Sequence, residues 1–75
     1  MIVTETLDTR GMNCPLPILK AKKALRDLNA GDILRVDSTD PGSFSDFEAF
    51  CNTTGNILLS SETVDEVFTY LIKKS

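Results

Sequence analysis

VFTYLIKK, Val67 to Lys74, can be read in two ways. Val67, Phe68, Leu71 and Ile72 fall at the spacing of a helical stripe. The stretch is also rich in β-branched and aromatic residues, which suit a pleated, half-buried surface. Composition favours a strand, and the rest of the chain can be read backwards from it. Asn56 to Ser60 is expected to be a third strand. Gly55 before it has the place of a helix C-terminal cap. That helix is expected to start at Asp40-Pro41, with Asp as the capping residue and Pro at the first helical position. Phe44, Phe47, Cys51 and Thr54 would line its inner face.

Further back, Ile33 to Val36 reads as a second strand with Leu34 and Val36 pointing inward. Pro15 to Asn29 reads as a first helix, because Ile18, Ala21, Leu25 and Leu28 recur at intervals of three and four. Ala30-Gly31 ends it. Ile2 to Leu7 reads as the first strand, and Thr9-Arg10-Gly11 as the turn that follows. The order is β-α-β-α-β-β. Right-handed crossovers would put both helices on the same face of the sheet. The expected fold is an α/β (α+β) two-layer sandwich: a mixed four-stranded sheet with two helices on one face and the other face open. Residues 1–75 would form a single domain.

Composition narrows the function. Seventy-five residues with 8 basic and 11 acidic side chains give a net charge of −3. A net acidic domain is a poor nucleic-acid binder, because phosphate contacts need Lys and Arg. The chain has no histidine. This excludes Cys-His nucleophile pairs, histidine metal ligands and histidine general bases. No metal or cofactor is expected. The two cysteines, Cys14 and Cys51, are too few for a disulfide framework and fit a reducing compartment. MIVTETLD lacks the basic and apolar regions of a secretion signal, and no segment is long enough to span a membrane. The expectation is a cytoplasmic protein, monomeric by default.

The chemistry centres on NCPLP, Asn13 to Pro17. Placing Cys14 at the helix N-cap makes Pro15 the first helical residue. There the missing N–H has no helical partner to lose. Pro17 at the third position also removes only an orphan donor. The Leu16 N–H would then be placed to reach the sulfur. A helix N-terminus carries roughly half a positive charge. Such a site can lower a thiol from its free value of about 8.5 and make the thiolate a nucleophile. Pro15, Leu16 and Pro17 would form an apolar rim, and Arg10 could add a second positive charge. The plain alternative is a proline-started helix with an indifferent cap. Against it, Ser, Thr, Asp and Asn cap far better than Cys.

LDTRGMNCPLP, Leu7 to Pro17, resembles the signature of the TusA-like (SirA-like) sulfur carrier family, roughly L-D-x-R-G-x-x-C-P-x-P. Leu7, Asp8, Arg10, Gly11, Cys14, Pro15 and Pro17 supply every element. DPGSFSDFEAFCNTTGN, Asp40 to Asn56, is similar to the family's second-helix segment, and YLIKK to its last strand. The resemblance covers the chain and implies the same sandwich. It also implies a sulfurtransferase-type function without a cofactor. Sulfur would ride as a persulfide on Cys14, taken from a cysteine desulfurase or rhodanese-like donor and passed to an acceptor relay protein. The routes implied are transfer RNA thiolation, cofactor sulfuration and dissimilatory sulfur metabolism.

The resemblance gives Asp8 and Arg10 a positioning role, as a pair across the turn that fixes the Cys14 loop. Gly11 would supply a positive φ there. Lys20, Lys22, Lys23 and Arg26 gather on the first helix and, with Leu16, suggest a docking patch for an acidic partner. A solvated helix face is the plain alternative. Cys51 is expected to be a core residue, since buried Cys behaves as a small hydrophobe. Two other functions compete with the carrier. One is a regulatory, protein-binding or RNA-binding module that uses the basic helix. The other is a Cys14/Cys51 redox switch, which needs Cα atoms within about 7 Å.

Overall fold

Val67–Lys73 is a strand, β4, and its neighbours show why. It lies inside the sheet, antiparallel both to Ile33–Ser38, β2, and to Ile57–Val64, β3. An inside strand is covered on one face along its whole length, so its alternate residues must be apolar. Tyr70 and Ile72 are that set, facing Val36 and Leu34 across the ladder. All four are at most 1% exposed. Glu5–Thr9, β1, pairs parallel with the other edge of β2. The sheet order is β1-β2-β4-β3, so the sheet is mixed.

The computed structural model describes residues 2–75. Leu16–Arg26, α1, carries the parallel crossover from β1 to β2. Ser43–Thr54, α2, crosses from β2 to β3. Both helices cover the face that carries Leu34, Val36, Tyr70 and Ile72, and they add Ala21, Leu25, Phe47 and Cys51 to the core. The Phe47 and Tyr70 rings pack with centroids 4.9 Å apart. On the other face Asp37 accepts from Arg35 Nε at 3.2 Å and from Thr69 Oγ1 at 3.0 Å. No helix among the described residues is long and apolar enough to cross a membrane.

The boundaries depart from the sequence reading in instructive ways. β1 runs from Glu5 to Thr9, not from Ile2 to Leu7. β2 continues past Val36 to Ser38 and offers a partner to each of those residues, ending in Thr9 opposite Ser38. Thr9 is fully buried, and its hydroxyl donates to the Asp37 carbonyl at 2.7 Å. α1 stops at Arg26, three residues before the expected end. Lys74 explains this, because its Nζ donates to the Leu28 carbonyl at 2.6 Å and reaches that of Arg26. Leu28 still packs against the core, so the apolar period outlasts the helix.

The start of α2 is also displaced. Asp40-Pro41-Gly42 forms a turn, with Asp40 Oδ1 accepting from the Gly42 N–H at 3.1 Å. The Ser43 N–H donates to the Asp40 carbonyl at 3.0 Å, and Gly42 holds the N-cap position. The buried stripe is Ser43, Phe47 and Cys51, while Phe44 and Thr54 are exposed. A serine can lead this stripe because its hydroxyl pairs with the Tyr70 hydroxyl at 2.6 Å. Gly55 closes α2 at φ 82°, as expected. β3 extends to Val64 rather than Ser60 and turns into β4 through Asp65 and Glu66, both at positive φ. Paired positive φ angles match the twist of a hairpin. The sequence signal fails there because neither residue is Gly or Asn.

Candidate functional site

β1 delivers the chain to one end of the sheet, and the loop that follows is suspended from the loop between β2 and α2. The Gly11 N–H donates to Thr39 Oγ1 at 2.9 Å. The Cys14 N–H donates to Asp40 Oδ2 at 3.1 Å. Gly11 sits at φ 83° with nothing within 4 Å of where a Cβ would lie, so conformation and not space requires the glycine. Arg10 folds back on Asp8: Nε donates to Oδ1 at 2.9 Å, Nη2 to Oδ2 at 3.0 Å, and the Arg10 N–H to Oδ1 at 3.0 Å. These bonds hold the Asp8 carboxyl down at about 2. The two residues pair across the turn as the sequence reading expected.

The helix start corrects that reading at Cys14. α1 begins at Leu16, Pro15 holds the N-cap position and Pro17 lies in the first turn. The Cys14–Pro15 peptide bond is cis. Cys14 therefore precedes the cap and does not form it. The Leu16 N–H donates to the Asn13 carbonyl at 2.9 Å and not to sulfur. Cys14 is an exposed free thiol at the mouth of a shallow groove between the helices. Ile18, Ala49 and Phe50 give the groove an apolar lining, and Lys22 and Asp46 line it as well.

The electrostatics overturn a second expectation. Cys14 is pushed above the ordinary thiol value, first by the Asp46 carboxylate. Desolvation and the negative charges of Asp46 and Asp40 act in the same direction. Arg10 does not offset them, because its guanidinium is engaged by Asp8. Cys51 is 4% exposed and part of the core, as expected, and burial pushes its thiol up. A resolving role for it would require this core position to open.

The basic helix is not one patch beside Cys14. Lys22 lines the groove that has Cys14 at its mouth. Lys20 and Lys23 lie with Leu16 along a different groove, between α1 and β1. Arg26 lies at the far end of α1, near Lys74. Leu19 borders both grooves and is 54% exposed. Thr39, Asp40 and Asp46 were missed as site residues. Their sequence context, a turn and a helix start, reads as ordinary capping, and nothing local ties it to Cys14.

Comparison with known proteins now has a geometry to attach to. The family model described as sulfurtransferase TusA matches residues 5–74. A protein of Neisseria meningitidis serogroup A is 53% identical over 70 residues, covering 93% of this chain and 95% of its own. The sulfur carrier protein TusA of Allochromatium vinosum is 52% identical over 71 residues, covering 95% and 93%. The crystal structure of a SirA-like protein from Desulfitobacterium hafniense matches with a TM-score of 0.77 at 29% identity, over 92% of this chain and 95% of that one. The chain belongs to the TusA family.

Proposed function

We propose that this protein is a sulfur carrier that accepts sulfur as a persulfide on Cys14 and passes it to a partner thiol. The observation that carries this reading is the exposed Cys14 thiol at the mouth of a partly apolar groove, on a loop whose Gly11 and Cys14 N–H groups are held by Thr39 and Asp40, in a chain of the TusA family. Loading is an exchange at sulfur. Cys14 Sγ bonds to the outer sulfur of a donor persulfide, the donor's S–S bond breaks, and the departing donor sulfur takes up the proton from Cys14. Unloading runs the same way, with Cys14 as the departing group and the acceptor thiol as nucleophile. Neither step needs a metal or an organic cofactor.

The groove suits the approach of a partner segment that carries the second sulfur. Leu19 and Phe50 offer it apolar contact, and Lys22 and Asp46 offer charge. Asp8, Arg10, Gly11, Pro15 and Pro17 hold the loop in place. The donors in view are a cysteine desulfurase or a rhodanese-like protein. The acceptor would belong to transfer RNA thiolation, cofactor sulfuration or dissimilatory sulfur metabolism.

Incubation of the reduced protein with a desulfurase and cysteine, or a rhodanese and thiosulfate, tests the reading by intact and peptide mass. The expected result is one added sulfur atom on Cys14, discharged by an acceptor thiol. It is absent in Cys14→Ser and retained in Cys51→Ser. Failure of both donors to load Cys14 would sink the reading.

A further inference from the structure

We propose that Asp40 is a positioning residue for Cys14: its two carboxylate oxygens join the Cys14 loop to the start of α2 and fix where the thiol stands when a donor persulfide arrives. This role rests on the carrier reading above and adds a residue to it. The basis is a set of hydrogen bonds that converge on one residue. Asp40 Oδ2 accepts from the Cys14 N–H at 3.1 Å, and Oδ1 accepts from the Gly42 N–H at 3.1 Å. One carboxylate thus bridges two loops that are far apart in the chain. Its own backbone is held on both sides. The Asp40 N–H donates to Ser38 Oγ at 3.2 Å, and the Asp40 carbonyl accepts from the Ser43 N–H at 3.0 Å. Ser38 and Ser43 are both buried, and the Ser43 hydroxyl pairs with that of Tyr70. A line of bonds therefore runs from the core of the sheet to the Cys14 backbone. Beside it, Thr39 Oγ1 holds the Gly11 N–H at 2.9 Å. A side chain locked by its own bonds places its partner more closely than a free one does.

Position matters for this chemistry. In loading, Cys14 Sγ bonds to the outer sulfur of the donor persulfide, the donor's S–S bond breaks, and the departing sulfur takes the Cys14 proton. The entering sulfur must approach along the bond that breaks, and a displacement of about 1 Å can cost roughly a hundredfold in rate. Cys14 is exposed and belongs to no helix or strand, so its place depends on what holds the loop. The bond to Asp40 also keeps the thiol in register with the α2 residues of its groove, Asp46, Ala49 and Phe50. Asp40 acts through the Cys14 backbone and takes no part in the bond changes.

Asp40→Asn separates the two bonds. Asparagine keeps one oxygen and favours the same turn, so the Gly42 bond survives. Its NH2 group then meets the Cys14 N–H, donor against donor. In NMR spectra of the isotope-labelled, reduced, full-length protein this variant should move the Cys14 amide signal and leave that of Gly42 nearly in place. Asp40→Ala should move both. With a desulfurase and cysteine, and the carrier varied as substrate, Asp40→Asn should lower the saturated loading rate about three- to tenfold and leave KM within about twofold. A lost partner contact would raise KM and spare the saturated rate. A merely structural role would lower the urea midpoint and spare both. Either pattern, or an unmoved Cys14 amide, would overturn the proposal. If neither variant folds, the wild type decides. Its Cys14 amide should exchange with deuterium at least about tenfold more slowly than in the urea-unfolded chain, and equal rates would overturn the tie. A wild type that takes up no sulfur would instead strike the carrier reading, while the amide signals, which need no sulfur, still report the tie.

Discussion

Cys14 and Cys51 are both thiols pushed toward the protonated form, for different leading reasons. Cys51 is surrounded by the core, and burial alone raises it. Cys14 is exposed, and the Asp46 carboxylate raises it first, with partial desolvation and the charge of Asp40 adding to it. The two causes respond to different things. Burial is relieved when the helix opens, so Cys51 is inert for as long as the protein is folded. A charge effect is relieved by anything that neutralises the charge: a mutation, salt or the surface of a partner. The same direction of shift therefore marks a structural thiol in one place and a controllable one in the other.

The largest separation should appear in stability. Cys51→Ser puts a hydroxyl into the core next to Phe47, and an unpartnered buried polar group costs about 1–3 kcal/mol. Cys14→Ser changes an exposed atom and should stay within about 0.5 kcal/mol of wild type. Urea unfolding of both variants measures this, and equal losses would break the contrast. Reactivity should separate next. With a disulfide reagent under native conditions Cys14 should react completely, while Cys51 waits for unfolding. A Cys51 that kept pace with Cys14 would place it in an open site.

The Asp8–Arg10 clasp sharpens the comparison further. Asp8 has its folded value depressed to about 2. The pair is thus intact above the ordinary carboxylate range and is lost as pH falls through about 2, a midpoint that carboxyl NMR should report. Asp8→Asn releases the Arg10 guanidinium near the Cys14 loop. It should accelerate Cys14 alkylation at pH 7 by about two- to threefold, with no effect on Cys51. Slower alkylation of Cys14 would mean that the freed guanidinium turns away from the sulfur. The smallest expected effect is that of salt. Raising ionic strength from about 0.1 to 1 M screens exposed charges and should speed Cys14 by less than about twofold. Cys51 should not respond.

Much of this fold is legible locally. Leu34 and Val36 alternate into the core, Gly11 and Gly55 stand where positive φ is needed, and the final segment shows its strand character in its β-branched and aromatic residues. The failures share a physical cause, which is that the deciding partner lies far along the chain. Ser43 leads an apolar stripe because Tyr70 supplies a hydroxyl. Where helix α1 ends, Lys74 takes the Arg26 carbonyl and that of Leu28 just beyond it. NCPLP can be picked out as the proposed reactive segment from its own residues. Its electrostatics cannot, because Asp46 belongs to the other helix. The nearest helix N-terminus suggests a dipole of about half a charge, whereas the Asp46 carboxylate lining the same groove comes from the other helix.

The buried hydroxyl pair has an optical consequence. Tyr70 is the sole tyrosine and the chain has no tryptophan, so the emission excited beyond the phenylalanine absorption band comes from one ring. That ring lies against Phe47 with its hydroxyl on Ser43, at the first residue of α2. Asp40 and Asp46, on either side of that residue, both act on its ionisation. The protein therefore carries its own fluorophore beneath the segment that holds Cys14, and a change in its emission offers a label-free test for a partner arriving there.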